Sequence, residues 1–223
     1  MSINRSELNA AIPQPAMERL PLYLNYLKMR MAEGCEQISS AMIAQDLRLT
    51  GIQVRKDLAY VSSGRPRTGR NVAALIACLE EALGYKTEKR VVLAGAGRLG
   101  QALMSYDGFA HCGFRMVAAF DADEHRIGMS INGCLVYPTE SIAAQTKSVA
   151  ADYGIIAVPA AQAQNVCDKL VEGGVRAILC FAPVNLNVPK RVVVRNMDIA
   201  ASLLLLSNSL TQAEIERVDD EYE

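Results

Sequence analysis

The chain has 223 residues, 51% of them apolar, and 23 Lys and Arg against 24 Asp and Glu for a net charge of −1. That length is generous for one domain and sufficient for two small ones, each with its own core. No run of about 18 uncharged apolar residues occurs, and residues 1–16 lack a charged start followed by an apolar block, which argues against spanning or secreted classes and for a cytoplasmic protein.

From the N-terminus, Leu20, Tyr23, Leu24 and Leu27 recur at the spacing of a helix with one buried face, predicting a helix over residues 17–31 that ends near Gly34. Ser39 or Ser40 can cap a second helix over 40–47, because a serine oxygen satisfies free N–H groups of the first turn. A turn at 48–51 leads into a third helix over 52–60. Two short helices joined in this way match a helix-turn-helix, whose second helix enters the major groove of DNA. The polar residues of the third helix are Gln53, Arg55, Lys56 and Asp57, while Val54, Leu58 and, beside them, Ala59 are assigned to the core. Arginine and lysine reach guanine edges or phosphates, and glutamine can pair with adenine. Residues 62–70 read S-S-G-R-P-R-T-G-R, a basic glycine-rich loop of the kind that forms a wing along the sugar-phosphate backbone. From 48 to 70 the charges are Arg48, Arg55, Lys56, Arg65, Arg67 and Arg70 against Asp57 alone, a local positive field that the whole-chain charge conceals. The bland alternative is a solvated basic surface used for a protein contact. No strand-like alternation appears before Glu88, and a leucine periodicity ends in G-Y-K-T-E-K over 84–89, read as a linker or domain boundary.

Residues 90–100 read R-V-V-L-A-G-A-G-R-L-G, an apolar strand running into G-x-G-x-x-G, and the next strand closes on Asp121. In such a dinucleotide site Gly95 makes the tight turn, Gly97 admits a pyrophosphate to backbone N–H groups, and Gly100 lets helix and strand pack closely. Asp121 would accept hydrogen bonds from a ribose 2′-OH and repel a 2′-phosphate, favouring NAD(H), with Arg126 just beyond it tempering the preference. Further strands are placed at 115–121, 134–137, 153–158, 177–181 and 191–195, and helices at 99–106, 141–146 and 161–173. Their alternation implies a doubly wound parallel sheet. Residues 199–210 are apolar nearly all round, so the helix they form must be covered on several sides, by its own domain or by a partner subunit. The acidic tail over 214–223 is expected to fray. The cysteines Cys35, Cys78, Cys112, Cys134, Cys167 and Cys180 lack C-x-x-C or histidine spacing, so they read as buried small hydrophobes and no metal site is expected.

Across nearly the whole chain, Arg19-Leu20-Pro21, Ile38-Ser39-Ser40, Gln53 to Leu58, Gly95 to Gly100, Tyr106 to Phe109, Phe120-Asp121-Ala122-Asp123, Val158-Pro159, Phe181-Ala182-Pro183 and Asp198 resemble the redox-sensing transcriptional repressors of the Rex family. The Q-V-R-K-D-L string is much more specific than the glycine motif. The resemblance implies an α/β chain with an N-terminal winged-helix domain over 1–86, a Rossmann-like NAD(H)-binding domain over 87–197, and a C-terminal segment over 198–223 whose helix is exchanged in a homodimer. It implies operator DNA as partner, with NADH releasing the protein from DNA and NAD permitting repression. Residues assigned to DNA are Ser39, Ser40, Gln53, Arg55, Lys56, Tyr60, Arg65 and Arg67. Those assigned to the dinucleotide are Gly95, Ala96, Gly97, Arg98, Leu99, Gly100, Asp121, Ala157, Val158, Pro159, Phe181 and Pro183, with Tyr106 and Asp198 as the switch. Three departures touch the implied switch and cleft: Asn25 stands where the family carries an arginine that pairs with the aspartate matched by Asp198, and Ala157 and Cys180 replace polar residues. A relative that binds DNA but answers weakly or not at all to NAD(H) is therefore an alternative. An NAD-dependent dehydrogenase is a further one, but its acid or base would have to be His111, in an expected loop, or His125, in the turn after Asp121. No catalytic residues are assigned.

Overall fold

The computed structural model describes residues 12–62 and 69–220. They fall into two compact units that meet at Thr87 and Glu88.

In the first unit, helix α1 (Gln14–Ala32) buries Ala16, Leu20, Tyr23, Leu24 and Leu27 along one stripe. A two-residue strand, β1 (Gln37–Ile38), precedes α2 (Ser40–Asp46), which is capped by Ser39 accepting from Met42 N. Helix α3 (Gly51–Ala59) is capped by Thr50, whose hydroxyl accepts from Gln53 N. Strand β2 (Arg70–Asn71) pairs antiparallel with β1. Helix α4 (Val72–Leu83) begins at the Asn71 cap and stops at Gly84, which adopts the left-handed conformation with φ +72° that a side chain would resist. Leu20, Leu24, Leu27, Ile43, Val54, Leu58, Leu75 and Leu79 meet in one core. The β1–β2 ribbon is a correction to the strand-free reading, since two-residue strands have no period to detect. Among the described residues no helix is long and apolar enough to cross a membrane.

The second unit is a seven-stranded sheet in the order β5-β6-β4-β3-β7-β8-β9. Its strands are β3 (Lys89–Ala94), β4 (Phe114–Asp121), β5 (Ser130–Ile131), β6 (Cys134–Pro138), β7 (Tyr153–Ile156), β8 (Ala177–Cys180) and β9 (Val193–Asn196). All neighbours run parallel except β5 and β6, a hairpin closed by Asn132 and Gly133, both with positive φ. Helices α5 (Arg98–Met104) and α6 (Asp107–His111) follow β3, α7 (Ile142–Ser148) precedes β7, and α8 (Ala160–Glu172) links β7 to β8. Phe120, Ile142, Ala163, Cys167 and Leu170 form a core on one face, and Val91, Leu93, Met104, Val136 and Ile155 form another. The fold is therefore α/β, with a predominantly parallel doubly wound sheet.

Three placements change. Strand β7 ends at Ile156, short of Val158, and its last ladder bond to β3 is Ala157 N donating to Ala94 O at 2.8 Å. His111 closes α6 rather than lying in a loop. Helix α9 (Ile199–Asp220) leaves Ile199, Leu203, Leu204, Leu205, Leu206 and Leu210 each more than 60% exposed, so none of the described residues supplies a covering core for them.

Candidate nucleic-acid interface and dinucleotide cleft

The α2–turn–α3 segment is built by local chemistry. Arg48 takes a left-handed φ of +53°, and Leu49 N donates to Ala44 O at 2.8 Å, tightening the turn between the two capped helices. On α3, Val54 and Leu58 enter the core, while Ile52, Arg55, Lys56 and Tyr60 stand exposed on the opposite side at helical spacing. Ser39 holds the α2 cap, and Ser40 Oγ accepts from Arg70 Nη1 at 2.9 Å, which ties the ribbon to the helix-turn-helix. Arg65 and Arg67, with most of the expected wing, lie outside the described residues.

Asp57 and Ala59 exchange the places assigned to them. Ala59 is exposed, whereas Asp57 is buried and accepts from Arg19 Nε at 2.7 Å, Arg19 Nη2 at 2.9 Å and Tyr23 Oη at 2.6 Å. Burial works against the charged carboxylate, but the hydrogen bonds from Arg19 and Tyr23 outweigh it and lower the Asp57 pKa. The hydrogen bond to Asp57 raises Arg19, and burial, followed by that same carboxylate, pushes Tyr23 up to about 12. A buried carboxylate with a bidentate guanidinium and a phenol is a satisfied cluster that fastens α3 to α1. Arg19 and Tyr23 carry roles that sequence reading missed, because their partner lies 38 and 34 residues away.

In the second unit, β3 has β4 on one side and β7 on the other, so the connections leave in opposite directions and open a crevice at their carboxyl ends. Gly95 turns there with φ +100°, and a Cβ on it would lie 2.4 Å from Ala157 O. A Cβ on Gly100 would lie 1.9 Å from Gly95 O and 3.1 Å from Leu93 Cδ2, so helix and strand approach too closely for any side chain. Gly97 differs: a Cβ there meets only Arg126 Nη1, at 3.9 Å. The backbone of Gly97 thus faces open space, as the approach of a pyrophosphate requires. Ala96 is buried, while Arg98 and Leu99 are exposed beside the turn.

Asp121 closes β4 almost buried, accepting from Asp123 N at 2.9 Å and facing Arg126 Nη1 at 3.2 and 3.3 Å. Arg126 also approaches Asp123 at 3.5 Å. One guanidinium therefore reaches both the acidic end of the crevice and the glycine turn. Ala157 and Val158 are half-buried beside that turn, and Pro159 leads into α8. Phe181 packs with the core cluster of Val91 and Leu93, whereas Pro183 and Asp198 line one cleft of about 200 Å³ together with Asn185, Asn196 and Met197. Asn185 and Asn196 were not singled out by sequence, since isolated asparagines in a loop and at a strand end carry no motif. Cys180 is fully buried with its thiol aimed at Ala182 O, so it does not line the cleft, contrary to expectation. Tyr106 is exposed, packs edge-on against Phe109 at 5.3 Å, and lies over Gly108, where a Cβ would meet its ring. Asp198 caps α9 by accepting from Ala201 N at 2.8 Å. Among the described residues no hydrogen bond or ion pair joins Tyr106 to Asp198.

Two family models match: the CoA binding domain over residues 86–184, and the putative DNA-binding protein N-terminus over 11–59. The chain is 37% identical to the redox-sensing transcriptional repressor Rex of Porphyromonas gingivalis, over 92% of this chain and 94% of that one. It is 42% identical to the protein of the same name from Carboxydothermus hydrogenoformans, over 88% and 95% respectively. Among solved structures, it is similar to RSP, a Rex-family repressor, in complex with NAD+ and operator DNA, at 30% identity and TM-score 0.85 over 92% of this chain and 95% of that one. It is likewise similar to RSP in complex with NADH, at 30% identity and TM-score 0.86 over 93% and 98%.

Proposed function

The chain belongs to the Rex family of redox-sensing transcriptional repressors, and from that premise we propose that it binds operator DNA through α3 and releases it when NADH occupies the crevice at Gly97. The observation that carries this reading is the pairing, within one chain, of an outward Arg55–Lys56 face on a helix-turn-helix with an open, side-chain-free approach at Gly97 beside Asp121. Arg55 and Lys56 contact bases and phosphates, Ser39, Ser40 and Tyr60 the backbone, and Arg65 and Arg67 extend the contact from the wing. The 95–100 turn with Ala157 to Pro159 holds the pyrophosphate region, Asp121 the adenosine ribose, and Phe181 and Pro183 the nicotinamide end. Tyr106 and Asp198 report its oxidation state. RSP, solved with NAD+ and operator DNA and separately with NADH, supports this assignment of input and output.

The active form is a homodimer. Residues 198–223 form the exchanged segment, and α9 supplies the chemical motive: burying each exposed leucine is worth about 1.5–3 kcal/mol, and Leu203 to Leu206 are open in a single chain. The sheet of this chain carries an apolar groove of about 300 Å³, lined by Val91, Phe114, Tyr153, Ile155, Leu179 and Val193, that would receive the exchanged helix of a second copy.

No substrate is turned over. His125 is almost wholly exposed and paired with Asp123 at the adenosine end, and His111 is an exposed helix end, so neither is placed to exchange a proton with a nicotinamide-bound substrate. A second reading, DNA binding indifferent to NADH, is favoured by Asn25, an uncharged residue where the family carries an arginine, and by the commitment of Asp198 to capping α9.

The test is a titration of the full chain with operator DNA alone, with NADH and with NAD+. Release by NADH only is expected. Binding unaltered by either nucleotide selects the second reading, and hydride transfer to any substrate refutes the regulator.

A further inference from the structure

Strand β2 carries a cation that the first unit leaves without a counter-charge. Arg70 is placed by its neighbours on both sides: Gly69 turns with φ +73°, where a Cβ would lie 3.0 Å from Ile38 O, and Asn71 caps α4. Across the β1–β2 ribbon Arg70 is paired with Ile38, immediately before Ser39 and Ser40. The guanidinium is thus delivered to the start of α2, where Nη1 donates to Ser40 Oγ at 2.9 Å.

Ser40 is neutral, and among the described residues that bond is the only one the Arg70 side chain makes. Nε is buried without a partner, and no carboxylate of the described residues pairs with the guanidinium, so burial acts on it alone and lowers its pKa. Arg19 in the same unit shows the opposite case, with its charge answered by Asp57. A cation taken partly out of water without a counter-charge is costly, and Arg70 is only partly buried, which leaves it accessible to an anion from outside. The first helix of a helix-turn-helix crosses the sugar-phosphate backbone, where arginine and serine are the usual ligands and a guanidinium fork matches phosphate. We infer that Arg70, tethered by Ser40 at the start of α2, is a DNA-binding residue that holds one backbone phosphate of the operator in each protomer. The inference rests on the helix-turn-helix being the DNA-contacting unit, and it gives a defined ligand to a residue that the sequence counted only towards a positive field.

The test starts by selecting an operator from a randomised duplex pool with the full-length wild-type chain; if nothing is enriched, this inference and the DNA-binding reading both fall. On the selected operator, each phosphate is then replaced in turn by an uncharged methylphosphonate. Expected is one phosphate per protomer at which the replacement costs wild type roughly tenfold in affinity and costs Arg70→Met nothing further. Arg70→Met should also bind all duplexes more weakly, and the slope of log affinity against log salt should shrink by about 0.9 for each protomer bound. Wild-type affinity and slope in Arg70→Met, or wild-type sensitivity at every phosphate, overturns the inference while leaving DNA binding intact.

Two further readouts separate a phosphate ligand from a structural tie. Arg70→Met removes an uncompensated charge, so the free protein should keep or raise its thermal midpoint even as DNA binding weakens. Arg70→Lys keeps a point charge that a phosphate accepts, so its salt slope should match the wild type. A lowered midpoint in Arg70→Met with an unchanged phosphate profile, or a slope in Arg70→Lys as shallow as in Arg70→Met, reduces Arg70 to a tie between ribbon and helix and sinks the assignment.

Discussion

Two arginine–aspartate pairs, one in each unit, share their chemistry and differ in setting. In the first unit Arg19 grips Asp57 through two nitrogens at 2.7 and 2.9 Å, the carboxylate side chain is 5% exposed, and Tyr23 adds a third donor. In the second, Arg126 offers a single nitrogen to Asp121 at 3.2 and 3.3 Å, is itself 37% exposed, and divides its attention with Asp123. A buried bidentate pair cannot lose one partner without leaving an uncompensated charge, whereas a loose, solvated one exchanges partners at little cost. The first pair is thus architecture under α3, the helix proposed to read DNA. The second is a loose pair at the site proposed for the ribose and pyrophosphate.

The largest expected effect tests the first half of this contrast. Asp57→Ala leaves the half-buried Arg19 unpaired and should destabilise the first unit by about 3–5 kcal/mol, read as lost hydrogen-exchange protection in α3, while Arg126→Ala costs less than about 1 kcal/mol. Similar losses in both variants would erase the distinction.

The glycines extend the same contrast between frame and site. Gly97→Val has room in the free protein, so it should retain the parent's thermal midpoint yet lower NADH affinity in calorimetry by at least about a hundredfold, or about 2.8 kcal/mol. Gly100→Ala meets the backbone oxygen of Gly95 and should unsettle the fold itself. Undiminished NADH binding by Gly97→Val would remove the pyrophosphate assignment.

On the DNA side, Arg55→Ala should cost about 1–3 kcal/mol of specific binding if it reads a base, and Lys56→Ala should weaken all sequences alike and reduce the salt slope by about 1. Equal binding of operator by Arg55→Ala and wild type would sink that role. The smallest effect is in acid. The Asp57 pKa is lowered from its ordinary 3.8, so its contribution to stability is fully present above that value and fades as pH falls through the depressed one. Urea unfolding of the wild type should therefore show an acid loss below about pH 4 that Asp57→Asn lacks. A parallel pH profile in both would assign the acid loss to other carboxylates.

Much of the fold was legible because its signals are local. Leu20, Tyr23, Leu24 and Leu27 mark a helical stripe, the apolar run before Gly95 marks a strand, and serine and glycine mark helix ends at Ser39 and Gly84. The hairpin at Asn132-Gly133 carries an equally local signal, since Asn-Gly between short apolar runs favours a two-residue turn with positive φ. Helix α6 has five residues, too few to display a period.

The candidate site divides along the same line. Sequence determined the residue types at the glycine turn, the acid closing β4 and the basic helix, because spacing, turn chemistry and side-chain charge act over a few neighbouring residues. Only tertiary structure decided that Asp57 is a buried anchor, that Cys180 turns away from the cleft, and which atoms the three glycines meet: Ala157 O for Gly95, Gly95 O for Gly100 and only Arg126 for Gly97. Burial of a charge and the space around a backbone depend on distant elements: Arg19 for Asp57, Ala157 for Gly95, Arg126 for Gly97. No short stretch of chain carries that information.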